Sequence, residues 1–163
     1  MKKTIIKKVG LMMLLGAMAL GVAACSSGKA SPGNEITGTL EELMGTIYKD
    51  TKLEFPKTEI TEITSENMEY FLGTNEVEYD EAIASEPMMS SQAHSVVLLR
   101  VSEGSDIETI KTKIKDKVDG RKWICVGVEE ENIIVDNIGN LVILIMDENS
   151  KAIQESFLNL KQQ

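Results

Sequence analysis

The feature that most constrains the fold is a short run, residues 95–101, that is apolar on both faces of an extended chain. It contains Val96, Val97, Leu98, Leu99 and Val101. A short run that is apolar on both faces is typical of a strand inside a sheet rather than at its edge. We therefore predict that residues 95–101 form a central strand of a sheet.

A β-hairpin is predicted nearer the carboxyl end. Two apolar runs, residues 133–135 and 141–146, flank the segment Asp136-Asn137-Ile138-Gly139-Asn140. Glycine and asparagine tolerate the positive φ angles that tight hairpin turns require. Weaker patterns predict an edge strand over residues 77–84, ahead of Pro87, and a short strand over residues 123–128.

Helical periodicity marks several other segments. Over residues 40–49, apolar side chains recur at helical spacing behind Thr39 and Glu42, which have the spacing of a capping box. Ser65 is predicted to cap a short helix through Phe71 or Leu72, which Gly73 ends as the left-handed residue. A helix from Ile107 to near Gly120 is predicted behind a second capping box of Ser105 and Glu108, and Ser150 is predicted to cap a last helix. Residues 51–64 are predicted to be extended or loop.

The order of these elements indicates the fold class. Helices and strands alternate irregularly, and the hairpin joins neighbouring strands directly. We predict an α+β domain with a mostly antiparallel sheet of about four strands and helices packed on one face.

The amino-terminal segment has the layout of a secretory signal. Four lysines and no acid precede an apolar run, residues 9–21. The sequence Val22-Ala23-Ala24-Cys25 follows and is similar to the lipobox of bacterial lipoproteins. We predict cleavage between Ala24 and Cys25 and attachment of diacylglycerol to the Cys25 thiol.

These signals divide the chain into three parts. Residues 1–24 are predicted to be a cleaved lipoprotein signal peptide, and residues 25–38 a lipidated flexible tether rich in Ser, Gly and Pro. Residues 39–163 form a single predicted domain. Lipidation of Cys25 would leave Cys125 as the remaining thiol, so the domain must be stable without an internal disulfide. We expect Cys125 to be a small apolar residue of the predicted strand.

The net charge limits the partners. Removing residues 1–24 lowers the net charge from −9 to −13. A chain this acidic is a poor match for nucleic acid or for anionic lipid, both of which are bound by clustered Lys and Arg. The predicted membrane contact is therefore the lipid on Cys25, since two acyl chains hold a protein stably on a bilayer.

A family resemblance covers most of the predicted domain. The segments that carry it are Tyr79 through Pro87-Met88-Met89, the central strand, the helix from Ile107, Lys122-Trp123, the hairpin, and the last helix with Phe157. Together they resemble a family of small Gram-positive lipoproteins whose domain has no known function. The resemblance implies an exported, lipid-anchored α+β domain, and it carries over no catalytic residues and no cofactor.

His94 is the one histidine and the main candidate for catalysis. It could activate a nearby serine, although a polar residue at the start of a strand is the simpler interpretation. A hydrolase would place His94 in a concave pocket with a hydroxyl or a carboxylate within hydrogen-bonding reach. A solvent-facing His94 would argue against it.

Two further groups of residues are candidates for binding. Met88, Met89 and His94 are soft ligands close together in sequence, and they are weak candidates for a copper(I) site. Lys115, Arg121, Lys122 and Trp123 concentrate positive charge beside the single tryptophan, and they are the candidate binding surface for an anionic partner. The alternative is that the lysine stems cover apolar surface and complement the helix dipole.

The function that we predict is therefore that of a lipid-anchored, extracytoplasmic protein of the cell envelope. Its domain is expected to bind an envelope protein or other envelope component without catalysis and without a cofactor. The alternatives are a small envelope hydrolase that uses His94 and a soft-metal-binding protein.

Overall fold

The computed structural model describes residues 36–162, which form an antiparallel sheet of five strands with helices against it. The strands are β1 (Thr58–Glu62), β2 (Glu81–Pro87), β3 (Ser95–Arg100), β4 (Ile133–Ile138) and β5 (Leu141–Met146). Their order across the sheet is β1-β2-β3-β5-β4. Ala24, Cys25 and the predicted signal peptide lie outside the described residues.

The described residues contain four α-helices: α1 (Leu40–Thr51), α2 (Met68–Leu72), α3 (Ile107–Lys117) and α4 (Ser150–Asn159). Short 3-10 turns occur at Glu130–Asn132 and Leu160–Gln162. Helix α1 begins at the predicted capping box, since Thr39 and Glu42 each accept the other's backbone N–H.

The predicted caps of the other helices were wrong. Asp106, rather than Ser105, caps α3 by accepting the Thr109 N–H at 3.2 Å. The residue before α2 is Asn67 and the residue before α4 is Asn149, so neither Ser65 nor Ser150 is the cap. The predicted end of α2 is confirmed: Gly73 has a φ of 71°, and a Cβ there would lie 2.1 Å from the Lys117 carbonyl oxygen.

The prediction that helices cover one face of the sheet was also wrong. Two separate cores are present, one on each face. Helices α1 and α4 pack with Ile83, Val96 and Leu98 on the first face. Helices α2 and α3 pack with Ala84 and Val97 on the second. Every side chain of β5 and nearly every one of β3 is buried, so both faces of these strands require cover.

The central strand and the hairpin are confirmed. Strand β3 lies in the middle of the sheet, between β2 and β5. Strands β4 and β5 pair from Ile133 opposite Met146 to Ile138 opposite Leu141, and Gly139 takes a φ of 55° in the tight turn.

Other strand predictions need correction. Residues 58–62, predicted as loop or extended, form the edge strand β1, which makes five strands rather than about four. Strand β2 is therefore internal, not an edge. Residues 123–128 form no strand, and Cys125 is an exposed residue with a φ of 63° rather than a buried one.

The two ends of the sheet differ in what they hold. At the end where β3 finishes, Arg100 donates hydrogen bonds to the carbonyl oxygens of Ile36 at 2.7 Å and Gly38 at 2.9 Å. The last residues of the predicted tether are thus held against the domain. We call this the Arg100 end. The opposite end, where β3 begins and β2 and β5 finish, is the His94 end.

Candidate functional site

Strand register brings His94 and Asp147 together at the His94 end. Strands β3 and β5 are antiparallel, with Ser95 opposite Met146. His94 immediately precedes this pair and Asp147 immediately follows it, so the two residues face each other beyond the last paired position. Tyr48, in the last turns of α1, reaches the same point from the helix layer.

These three side chains form a continuous hydrogen-bonded network. The His94 Nδ1 atom lies 2.6 Å from Asp147 Oδ2, and the His94 Nε2 atom lies 2.8 Å from the Tyr48 hydroxyl. Asp147 Oδ1 also accepts the Asn149 N–H at 2.6 Å. An ionised Asp147 can only accept, so Nδ1 carries the proton. In the neutral ring, Nε2 then accepts a hydrogen bond from the Tyr48 O–H.

The charges of the network are fixed by its surroundings. Burial alone would raise the pKa of Asp147, but hydrogen bonds from His94 and the Asn149 backbone outweigh it and hold that pKa below its usual range. Burial raises the pKa of Tyr48 well above its ordinary value, and the nearby Asp147 and Glu86 charges add to the rise. Asp147 therefore stays ionised and Tyr48 stays protonated.

Packing encloses the network. His94 is 2% exposed, and the side chain of Asp147 is 8% exposed. The Phe55 ring packs at 4.8 Å from the Tyr48 ring and 5.3 Å from the His94 ring, measured between centroids. Both polar atoms of the imidazole are thus occupied by the protein itself.

A cleft of ≈ 490 Å³ opens over this network. His94 and Asp147 line it, the segment 126–128 contributes a wall, and the carboxylates of Glu129 and Glu148 are also among the lining side chains. Pro56, Gln92, Ala93 and Asn132 complete the lining. A cleft with carboxylates and no cation in its lining favours a positively charged ligand.

A buried ion pair lies on the other face of the sheet at the same end. Lys122 Nζ is 2.5 Å from Glu86 Oε1, with side-chain exposures of 4% and 15%. The ammonium also lies over the rings of Tyr70, Phe71 and Trp123, at 4.5, 5.1 and 5.3 Å from their centroids. Burial lowers the pKa of Lys122, and the Glu86 carboxylate opposes that change.

The structure does not gather the four residues of the predicted binding surface into one exposed patch. Lys122 and Trp123 are buried. Lys115 donates to the backbone carbonyls of Glu130 and Ile133. Arg121 is exposed and lies 3.6 Å from Glu129.

The residues of the predicted copper site are placed very differently from one another. Met88 and Met89 are 64% and 62% exposed, whereas His94 is buried and both of its ring nitrogens are bonded. Among the described residues, no group of three or more His, Cys, Asp or Glu side chains is arranged to hold a metal ion.

Sequence reasoning identified His94 but missed Tyr48, Asp147 and Glu86. Tyr48 belongs to the apolar residues at helical spacing over residues 40–49, and that spacing indicates packing in the core rather than a polar site. Asp147 carried a usable signal, because it follows the strand of the predicted hairpin directly, as His94 precedes β3. The pairing of β3 with β5 brings His94 and Asp147 together, and neither segment alone predicts that pairing.

This arrangement defines a class: an α+β domain with helices on both faces of an antiparallel sheet and a cleft above a buried histidine and carboxylate. The model of the family described as a domain of unknown function (DUF4358) matches residues 54–147, more than half of the chain, and the chain belongs to that family. The match includes His94 and Asp147, while Tyr48 precedes it. No curated protein and no solved structure matches the chain significantly. Within residues 36–162, no helix is both long and apolar enough to span a bilayer.

Proposed function

We propose that the protein is a lipoprotein, anchored through diacylglycerol on Cys25 at the extracytoplasmic face of the cell membrane. The support is the sequence: a lysine-rich start, an apolar run too short to span a bilayer comfortably, and the Val22-Ala23-Ala24-Cys25 motif. The acidity of the mature chain supports a covalent lipid as the means of attachment, because electrostatic adhesion to anionic lipid requires basic clusters.

The domain itself acts as a binding module rather than an enzyme, with the cleft over His94 as its site. One observation carries this proposal. Tyr48 and Asp147 occupy both nitrogens of the His94 ring, and the ring is almost fully buried. A network closed in this way offers a ligand a rigid surface of fixed charge, which favours recognition at low entropic cost.

The anchor is tested by lipid labelling in cells. The natural chain should incorporate labelled fatty acid and sediment with membranes, and Cys25→Ala should do neither. Cys125→Ala is the matched control, because it removes the other cysteine and should leave labelling unchanged. Labelling that persists in Cys25→Ala would refute the anchor.

A second candidate function, a small envelope hydrolase, is favoured by one specific observation. His94 has a carboxylate at 2.6 Å and a hydroxyl at 2.8 Å, and it lines a concave cleft. If a substrate hydroxyl or a water replaced Tyr48 on Nε2, His94 would become a general base oriented by Asp147.

Two conservative variants separate these functions. A hydrolase should turn over a peptidoglycan, ester or phosphate substrate, lose that activity in Asp147→Asn, which disturbs the imidazole tautomer, and keep it in Tyr48→Phe, which frees Nε2. A binding module should show no specific turnover in the natural chain. Circular dichroism on each variant checks that the fold is retained.

A further inference from the structure

Two loops meet at the His94 end and line the cleft together. The first, residues 88–93, contributes Gln92 and Ala93, and the second, residues 121–128, contributes the wall 126–128. The Ile124 N–H donates a hydrogen bond to the Ser90 carbonyl oxygen at 3.2 Å, which joins the loops. We call this pair of loops the two-loop rim.

The two-loop rim exposes large apolar side chains. Met88, Met89 and Ile124 are 64%, 62% and 69% exposed, which are the highest values among the large hydrophobic residues of the described chain. They lie on both loops, whereas a loop exposed only to water is usually polar. Exposed apolar side chains beside a cleft are typical of an interaction surface.

Carboxylates are concentrated at the cleft that the two loops line. Glu129 and Glu148 line the cleft, and Glu130 and Glu131 are exposed directly after Glu129. Four cations lie nearby. Lys122 is paired with Glu86 and Arg121 with Glu129, Lys115 donates to the Glu130 carbonyl oxygen, and the Lys57 carbonyl oxygen accepts the Met88 N–H. With Glu86 and Asp147 included, the acids outnumber these cations, so the surface complements a partner with positive charge next to apolar side chains.

The position of the tether indicates which way this surface points. Arg100 holds Ile36 and Gly38 at the far end of β3 from His94. The six residues of β3 put roughly 17 Å between these ends. The Ser, Gly and Pro content of residues 26–35, which precede the held residues, predicts a reach of roughly 16 to 19 Å. Turning the two-loop rim toward a bilayer would use most of that reach and would bring the acidic rim close to lipid headgroups.

We propose that the two-loop rim is a membrane-distal docking surface for a basic segment of another envelope protein, one that carries apolar side chains beside its Lys or Arg residues. This rests on the proposed lipid anchor, which sets the orientation. The acidic cleft receives the cationic side chain, and Met88, Met89 and Ile124 contact the apolar ones.

Orientation is measured on the full-length lipidated protein in phosphatidylcholine vesicles. A dye on Cys125, in the rim, should be unaffected by a quencher attached to lipid headgroups. In the matched control, Glu103→Cys with Cys125→Ser, the dye lies on an exposed loop at the Arg100 end and should be quenched. Strong quenching at Cys125 would make the bilayer the occupant and would overturn the proposal.

Docking is measured with a labelled peptide of lysine, tyrosine and glycine and the same protein in phosphatidylcholine nanodiscs. Replacing two rim carboxylates, Glu129→Gln with Glu148→Gln, should raise the Kd about tenfold. Replacing two exposed acids at the Arg100 end, Glu41→Gln with Glu103→Gln, changes the net charge equally and should raise it less than about twofold. Ile124→Ser should also weaken binding.

Three outcomes would contradict the docking surface: equal effects of the two charge pairs, no binding of the peptide, or a dimer of this chain that Ile124→Ser dissociates. Failure of the lipid anchor gives a different result, because the protein would then not be recovered with the vesicles in a flotation assay. The two charge pairs can still be compared on protein that remains off the membrane, so the two failures are distinguishable.

Discussion

Strand β2 carries a glutamate near each end, and the two form ion pairs of very different kinds. Glu81, at the Arg100 end, lies 2.7 Å from Arg100, with side-chain exposures of 49% and 14%. Glu86, at the His94 end, lies 2.5 Å from Lys122, with exposures of 15% and 4%. The first pair remains hydrated on one side, whereas the second is enclosed by aromatic rings.

The contrast extends to the acids that accept hydrogen bonds at each end. Asp80, at the Arg100 end, is exposed and accepts the Ser102 hydroxyl at 2.6 Å. Asp147, at the His94 end, is buried against His94. A buried charge without a partner strongly destabilises a folded protein, whereas an exposed ion pair contributes little to its stability. The His94 end therefore keeps costly polar groups in the region that forms the cleft, and four changes test that difference.

The largest expected effect is that of Asp147→Ala. The change leaves the buried His94 Nδ1–H without its acceptor and also removes the acceptor of the Asn149 N–H, so the free energy of unfolding should fall by about 3 kcal/mol. The matched change Asp80→Ala, at the Arg100 end, should cost about 0.5 kcal/mol or less. Urea unfolding of both variants measures the difference. Similar costs would mean that burial does not distinguish the two ends.

The next largest effect is expected from breaking the ion pairs of β2. Glu86→Ala should lower the free energy of unfolding by about 2 to 3 kcal/mol, because it leaves the Lys122 ammonium buried without a counter-charge. Glu81→Ala should cost about 1 kcal/mol or less. Adding Lys122→Met to Glu86→Ala should recover much of the loss, since methionine needs no partner. A double variant as unstable as Glu86→Ala alone would assign the cost to packing instead.

Residue patterns predicted the parts of the fold that depend on burial. The run at 95–101, the hairpin and the α1 capping box each carry a local signal, and each is present. Strand β1 has the sequence TEITE and is mostly exposed, so no apolar pattern marks it. It exists because its backbone pairs with β2. The run at 141–146 is apolar at every position, so it indicated that helices pack on both faces of the sheet. The predicted arrangement, with helices on one face, did not take this into account.

The site was less predictable than the fold. His94 stood out because it is the one histidine, but its partners lie 46 and 53 residues away along the chain. Their contacts depend on the register of β3 with β5 and on where α1 docks, and neither is encoded near His94. The basic residues near Trp123 show the opposite case, in which residues close in sequence do not form one site. Lys122 forms a buried ion pair, whereas Lys115 and Arg121 make separate contacts.

The third prediction concerns pH. The pKa of Asp147 is lower in the folded protein than its ordinary value of 3.8. As the pH falls, the unfolded chain therefore binds more protons than the folded protein does. The stabilisation is complete above the unfolded pKa and is lost as the pH falls through the folded one. Between about pH 5 and about pH 3, the natural chain should lose more stability than Asp147→Asn. The difference in slope should not exceed about 1.4 kcal/mol per pH unit, the value for one proton.

Urea unfolding at a series of pH values measures these slopes. Asp80→Asn, which changes an exposed acid at the Arg100 end, should keep the slope of the natural chain. An Asp147→Asn slope that equals the natural one would show that the carboxylate of Asp147 is not the group that stabilises the His94 end.

The smallest expected effect is that of Tyr48→Phe. Phenylalanine keeps the ring contact with Phe55 but leaves His94 Nε2 without a donor, so the free energy of unfolding near neutral pH should fall by about 1 kcal/mol.

The loss of stability in Tyr48→Phe should depend on pH. Burial raises the pKa of Tyr48 above its ordinary value of 10.0. Above that pH the unfolded chain loses the phenolic proton while the folded protein keeps it, so the stability due to Tyr48 is lost as the pH rises. The variant has no phenol to ionise, and its deficit in urea unfolding should therefore narrow above pH 10. A deficit that stays constant with pH would mean that the Tyr48 hydroxyl is as hydrated as an exposed one, and the contrast between the two ends would then rest on the charged groups alone.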